Sequence, residues 1–96
     1  MKIELCVASI EGLQFAKDCS IDRIELCQNL EQGGMTPSYG FIEMALLKEL
    51  NTHVLIRPRA AGFTYSEDEI QLMLRDIKVC RELGVQGVVI GALSIN

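Results

Sequence analysis

Two stretches of the chain alternate apolar and polar residues with a period of two. In Lys2 to Val7, Ile3, Leu5 and Val7 alternate with Glu4 and Cys6; in Ile21 to Leu26, Ile24 and Leu26 alternate with Arg23 and Glu25. That period is the signature of a strand, whose side chains project to opposite faces in turn. Thr52 to Ile56 and Gln86 to Gly91 are short, aliphatic and rich in β-branched residues, and also read as strands. Between the strands the period lengthens. Ile10, Leu13 and Ala16 mark a short helix capped by Ser9. Ile42, Ala45, Leu46 and Leu50 mark a second, with Thr36-Pro37 as cap and first position. Ile70, Met73, Leu74 and Ile77 mark a third, opened by the capping box Ser66-Glu67-Asp68-Glu69 and stopped at Gly84.

The predicted order is β-α-β-α-β-α-β. Strands joined by helices run parallel through right-handed crossovers. No linker or low-complexity segment interrupts the chain, so residues 1–96 are read as one domain. Two architectures fit this order: an open doubly wound sheet, and the first four βα units of an eight-stranded (β/α) TIM-type barrel. A whole barrel takes about 250 residues. Charged and thiol residues near the carboxyl ends of three strands favour the half barrel, because barrel enzymes place their chemistry there. No G-x-G-x-x-G or G-x-x-x-x-G-K-[ST] follows the first strand.

The tetrapeptide Ile-Glu-Leu-Cys occurs twice, at Ile3 to Cys6 and at Ile24 to Cys27. A carboxylate and a thiol two residues apart share a face. If the strands are neighbours in matching phase, the two sets lie side by side. Cys6 and Cys27 are then candidate metal ligands, about 5 Å apart on adjacent strands. Reduced copper, a soft ion, favours such sulfur donors. Glu4, Glu25, Arg57 and Arg59 form a second constellation. Glu25 is expected to pair with Arg57 on the next strand, because a carboxylate inside a barrel is costly alone. In an anion-binding or acid–base reading, Glu25 and Arg57 are the catalytic pair, and Arg59 and Glu4 bind a small carboxylate or phosphate substrate. In a structural reading the same pair fixes strand register. Gly33-Gly34 reads as a turn, His53 as lying at the opposite end of the strands, and Met44 and Met73 as core.

Composition narrows the partners. Net charge is -4 over 96 residues, which argues against nucleic acid or an anionic membrane surface. No apolar run reaches the ~20 residues of a membrane helix. Met1-Lys2-Ile3-Glu4 lacks a signal-peptide core, so a cytoplasmic location with reduced thiols is expected. The four cysteines, at 6, 19, 27 and 80, lack C-x-x-C spacing and accompany a single histidine.

Five linked segments carry a family resemblance: Asp22 to Cys27, Gly33-Gly34-Met35-Thr36-Pro37-Ser38, Ile56-Arg57-Pro58-Arg59, Phe63-Thr64-Tyr65-Ser66 and Gly91-Ala92-Leu93. In order and spacing they resemble the CutC family. That resemblance implies a cytoplasmic (β/α) barrel protein of copper homeostasis that binds copper ion, and it implies that this chain matches the amino-terminal half. The chain has Ala8 where the family usually has Asp, Cys19-Ser20 where it has Gly-Gly, and Ala60-Ala61-Gly62 where it has Gly-Gly-Asp. Two of these changes remove a carboxylate near the expected site. A half barrel leaves its first and fourth strands as bare edges, which predicts self-association into a homo-oligomer through those edges or poor stability as a monomer; a half barrel that is inactive alone is a third reading.

Overall fold

The computed structural model describes residues 1–91. Four strands and three α-helices alternate: β1 (Glu4–Val7), α1 (Ile10–Asp18), β2 (Arg23–Leu26), α2 (Tyr39–Leu47), β3 (Thr52–Ile56), α3 (Glu67–Leu83) and β4 (Gly87–Ile90). A short 3-10 turn, Leu30–Gln32, lies between β2 and α2. The four strands form one parallel sheet in the order β1-β2-β3-β4.

That order decides between the two architectures. A doubly wound sheet reverses its strand order at a switch point and so covers both faces. Here the order never reverses, and right-handed crossovers put every helix on one face. Val7, Ile24, Leu26, Val54 and Ile56 point to that face and share one core with Leu13, Ala16, Ile42, Ala45, Met73 and Cys80. Each large aliphatic group withdrawn from water contributes about 1.5–3 kcal/mol. The alternate residues Glu4, Cys6, Arg23, Glu25, His53 and Leu55 point to the other face, which no helix among the described residues covers, and none of them is fully buried. The result is the strand and helix arrangement of half a (β/α) barrel.

The helix boundaries follow from their caps. Ser9 Oγ accepts from the Gly12 amide at 3.0 Å and starts α1. The capping box of α3 forms as expected: Ser66 Oγ accepts from Glu69 N at 3.2 Å, and Glu69 Oε1 accepts from Ser66 N at 2.8 Å. Gly84, at φ 86°, ends α3 in the left-handed conformation that glycine adopts without strain. The start of α2 differs from expectation. Ser38 is its cap, accepting from Phe41 N at 3.2 Å, two residues past Thr36. Thr36 is engaged elsewhere: its hydroxyl accepts from Arg57 N at 2.8 Å and donates to Arg57 O at 3.1 Å.

Three apolar expectations also shift. Ile70 and Leu74 of α3 and Met44 of α2 are exposed, not core. Their helices are buried along a narrower stripe, Met73 and Cys80 in α3 and Ile42 and Ala45 in α2.

Candidate functional site

The register of β1 on β2 changes how the repeated tetrapeptide reads. Glu4 pairs with Arg23 and Cys6 with Glu25. The repeats are 21 residues apart in sequence, but the strands pair 19 residues apart. The second copy is therefore slipped by two residues along the sheet. A slip of two preserves the face, so Cys6 and Cys27 remain on the open side. They are diagonal rather than side by side, with α-carbons about 8 Å apart from strand spacing and rise. Cys6 is exposed, whereas Cys27 is buried with its Sγ 3.8 Å from Val7 O.

Both thiols titrate above their ordinary range. Burial pushes Cys6 up, and the carboxylates of Glu25 and Glu4 push it further. Cys27 is raised by burial, then by Cys6, then by Glu25. Both sulfurs are therefore protonated at neutral pH, and they sit in one electrostatic neighbourhood. Gly34 borders Cys27 from the loop side: a Cβ on Gly34 would lie 3.7 Å from Cys27 Sγ and 3.0 Å from Leu55 Cδ2. Gly34 has φ +91°, so the backbone there requires glycine, and its bare α-carbon keeps the sulfur uncrowded. Among the described residues no group of three or more His, Cys, Asp or Glu is placed to hold a metal. Met35 Sδ lies 3.3 Å from Asn29 Nδ2.

The expected Glu25–Arg57 ion pair does not form. Arg57 binds backbone instead. Its Nη1 donates to Gln32 O at 2.8 Å and to Gly34 O at 2.9 Å, and its Nη2 donates to Ala61 O at 2.7 Å. The guanidinium stacks 5.1 Å over the Phe63 ring, and its Nε is buried without an acceptor. Arg57 thus ties the β2–α2 loop to the β3–α3 loop. Arg59 does similar work within its own loop, donating to Gly62 O at 2.7 Å and Thr64 O at 2.8 Å. It also pairs with Glu69 Oε2 at 2.6 Å and stacks over Tyr65 at 4.9 Å. The carbonyl partners of both arginines left no trace in the sequence, because any residue supplies a carbonyl.

Glu4 also departs from its expected place. It is the first residue of β1, at the amino end of the sheet, and pairs with Arg23 at 2.5 Å. Glu4, Arg23, Asp22 and Asn51 line a cleft at that end, opposite the mouth where the strand carboxyl termini lie. Glu25 is half-buried, across from Cys6, and pairs with no basic side chain among the described residues. The His53 ring lies over Gly87, toward the amino end of β3, as its sequence position predicted.

Known proteins share both the sequence and the arrangement. The model of the CutC family matches residues 1–96. A relative from Glaesserella parasuis serovar 5, named family protein CutC, is 52% identical over 97 residues. It matches all of this chain, which covers 40% of that protein. A Bacteroides fragilis protein of the same name is 45% identical over 95 residues, with 38% of its length covered. Among solved structures, the putative copper homeostasis protein CutC from Streptococcus agalactiae superposes with a TM-score of 0.87 at 36% identity. That match covers 98% of this chain and 47% of the other. The chain thus spans about 40% of the length of the curated relatives it matches. The Gly91-Ala92-Leu93 segment of the resemblance runs beyond the described residues.

Proposed function

The chain belongs to the CutC family, and from that premise we propose that it serves copper homeostasis by binding copper(I) through Cys6 and Cys27. The observation that carries the reading is geometric: two sulfurs from neighbouring strands share the open face of the sheet, one at the surface and one beneath it. Copper(I) is soft and suits thiolate donors. The exposed Cys6 meets the ion first; the buried Cys27, uncrowded on the Gly34 side, completes the pair. The nearby Glu25 carboxylate favours a cation over an anion at this place. The reading belongs to a reducing cytoplasm, where thiols stay free.

An acid–base enzyme working on a small anion through Glu25, Arg57 and Arg59 is the competing reading. It requires arginines free to clamp a ligand. Both guanidinium groups here are already bound to loop carbonyls and Glu69, so the geometry supports the sulfur reading better.

The test is anaerobic titration of the reduced protein with copper(I) against a chromophoric chelator. The parent is expected to compete for one ion per chain, and the Cys6→Ser, Cys27→Ser double variant to lose that competition. Because both thiols are protonated at neutral pH, binding releases protons and affinity rises with pH. A double variant that binds as tightly as the parent refutes the assignment.

A further inference from the structure

The Gly33-Gly34 turn stands against the buried thiol of the sheet. Cys27 is 2% exposed, and a Cβ built on Gly34 would lie 3.6 Å from Cys27 Cβ and 3.7 Å from its Sγ. The sulfur lies 3.8 Å from Val7 O, on the strand that carries Cys6. Bonds inside the turn, Gly33 N to Leu30 O at 2.9 Å and Gly34 N to Asn29 O at 3.1 Å, set its shape. They do not tie its tip to the rest of the molecule. Arg57 does that, through an Nη1 that donates to both Gln32 O and Gly34 O. The approach is close: a Cβ on Gly33 would lie 2.9 Å from the same nitrogen. Both glycines have positive φ, +87° and +91°, a conformation that other residues resist.

The guanidinium is itself held from the other loop. Nη2 donates to Ala61 O at 2.7 Å, and the ring of Phe63 lies beneath the plane. The Arg57 backbone is gripped by the Thr36 hydroxyl. A planar fork of donors spans both loops at once, which the single ammonium of a lysine does not. We propose that Arg57 is a positioning residue for Cys27: it clamps the Gly33-Gly34 turn against the buried sulfur and so fixes that sulfur where it meets an ion held by Cys6. The proposal rests on the copper(I) reading of Cys6 and Cys27, and adds to it a residue that touches no metal. Every group of the clamp lies between Cys27 and Phe63.

Lifting the turn off Cys27 breaks the bond to Gly34 O, which is buried. A bond of that kind from a charged donor changes an opening equilibrium by about ten- to a hundredfold. Without it, the Gln28–Met35 bridge and the bond from Thr36 N to Arg57 O still hold the two ends of the turn, and its tip is free to lift. Cys80 supplies an internal comparison. It is as well buried as Cys27, at 1% exposed, but it belongs to the core between helices and sheet, of which Cys27 is not a part. A change that loosens the whole unit acts on both thiols; a change that lifts the turn acts on Cys27.

The experiment alkylates the folded protein with iodoacetamide and resolves Cys27 from Cys80 by peptide mass spectrometry. A Cys6→Ser background keeps an adduct at Cys6 from disturbing Cys27. Arg57→Ala and Arg57→Lys are compared with Leu13→Ala, which truncates a fully buried side chain of α1 and loosens the unit without touching the turn. Each rate is corrected for the variant's own unfolding equilibrium, measured in urea. Cys80 should then label alike in all three. Cys27 should label about tenfold faster in Arg57→Ala than in Leu13→Ala, with Arg57→Lys between them. With Cys6 restored, Arg57→Ala should bind copper(I) about tenfold more weakly in the chelator competition, and Leu13→Ala as the parent does. If Arg57→Ala does not fold, Arg57→Lys carries the same comparison. Corrected Cys27 rates that coincide in the Arg57 and Leu13 variants overturn the proposal, because Arg57 then acts on global stability alone. So does faster labelling of Cys27 with copper affinity unchanged, which makes the turn a cover and not a positioning device. Copper retained by the Cys6→Ser, Cys27→Ser double variant refutes the copper reading itself, whereas the labelling contrast needs no copper and tests the clamp separately.

Discussion

Replacing Arg57 with alanine should loosen both loops at the mouth of the sheet and destabilise the whole unit. The side chain is 9% exposed and donates to three carbonyls drawn from two loops. A hydrogen bond from a charged donor contributes about 1.5–3 kcal/mol. The bond to Gly34 O is buried and is counted near the middle of that range. Those to Gln32 O and Ala61 O are partly buried, and water can replace the lost donor, so each is discounted to about 0.5–1 kcal/mol. The sum is about 3–4 kcal/mol, against a total of about 5–14 kcal/mol for a domain of this length. Urea unfolding at fixed protein concentration, followed by circular dichroism, should show the midpoint fall by about 2 M. Hydrogen exchange should quicken at Met35 and Thr36, whose amides donate to Gln28 O and Arg57 O. Arg57→Lys keeps the charge but has no fork to span three carbonyls, so it should fall between alanine and the parent. An alanine variant within about 0.5 kcal/mol of the parent would show that these bonds do not hold the mouth together.

Two further outcomes are expected. Gly87→Ala would place a methyl 2.6 Å from His53 Cε1; it should destabilise the parent by about 1–3 kcal/mol and do so much less in a His53→Ala background, and additive losses in the double-mutant cycle would refute the contact. Glu69 titrates below its ordinary range, chiefly because the Ser66 amide donates to it and then because Arg59 does. It therefore contributes stability above its unfolded value of 4.5 that is lost as pH falls through the lower folded value; Glu69→Gln should flatten this acid limb of a stability–pH curve, and an unchanged limb would remove Glu69 from it.

The secondary structure was legible because its signals are local. Alternation in Glu4 to Val7 and Arg23 to Leu26, the Ser66 box and Gly84 each fix an element through a few neighbouring residues. The order of those elements fitted an open doubly wound sheet as well as a half barrel, and the unreversed strand order of the sheet decided between them. What stayed hidden is non-local. The two Ile-Glu-Leu-Cys repeats read as side by side, but alternation fixes only the face of a strand and is blind to a slip of two. Arg57 reads as the partner of Glu25 because carboxylates are visible in a sequence and backbone carbonyls are not. Thr36 has the chemistry of a helix cap, and nothing nearby shows that the end of β3 will occupy its hydroxyl. Ile70 and Leu74 fit the apolar period of α3, but the period does not tell how wide a stripe the sheet will cover.

The slipped register sets Glu25 beside the proposed copper ligands, and its effect on the ion changes sign with pH. Cys6 faces Glu25, and that carboxylate helps to hold both thiols protonated. At high pH both sulfurs are thiolates, and binding one copper(I) reduces the local negative charge from two to one; Glu25 then favours the ion. At low pH both are neutral thiols, and the ion displaces two protons, so the local charge falls from zero to minus one; Glu25 then opposes it. Glu25→Gln should therefore bind copper(I) more weakly than the parent at high pH and more tightly at low pH. The two curves should cross between the pKa values of the thiols. The separation on either side is about threefold, from one charge roughly 6 Å away in a water-like medium. Chelator competition across pH measures both curves. Displacement of the variant in the same direction at every pH would mean that the carboxylate does not share a field with a two-thiol site, and that the ion binds elsewhere or to one sulfur.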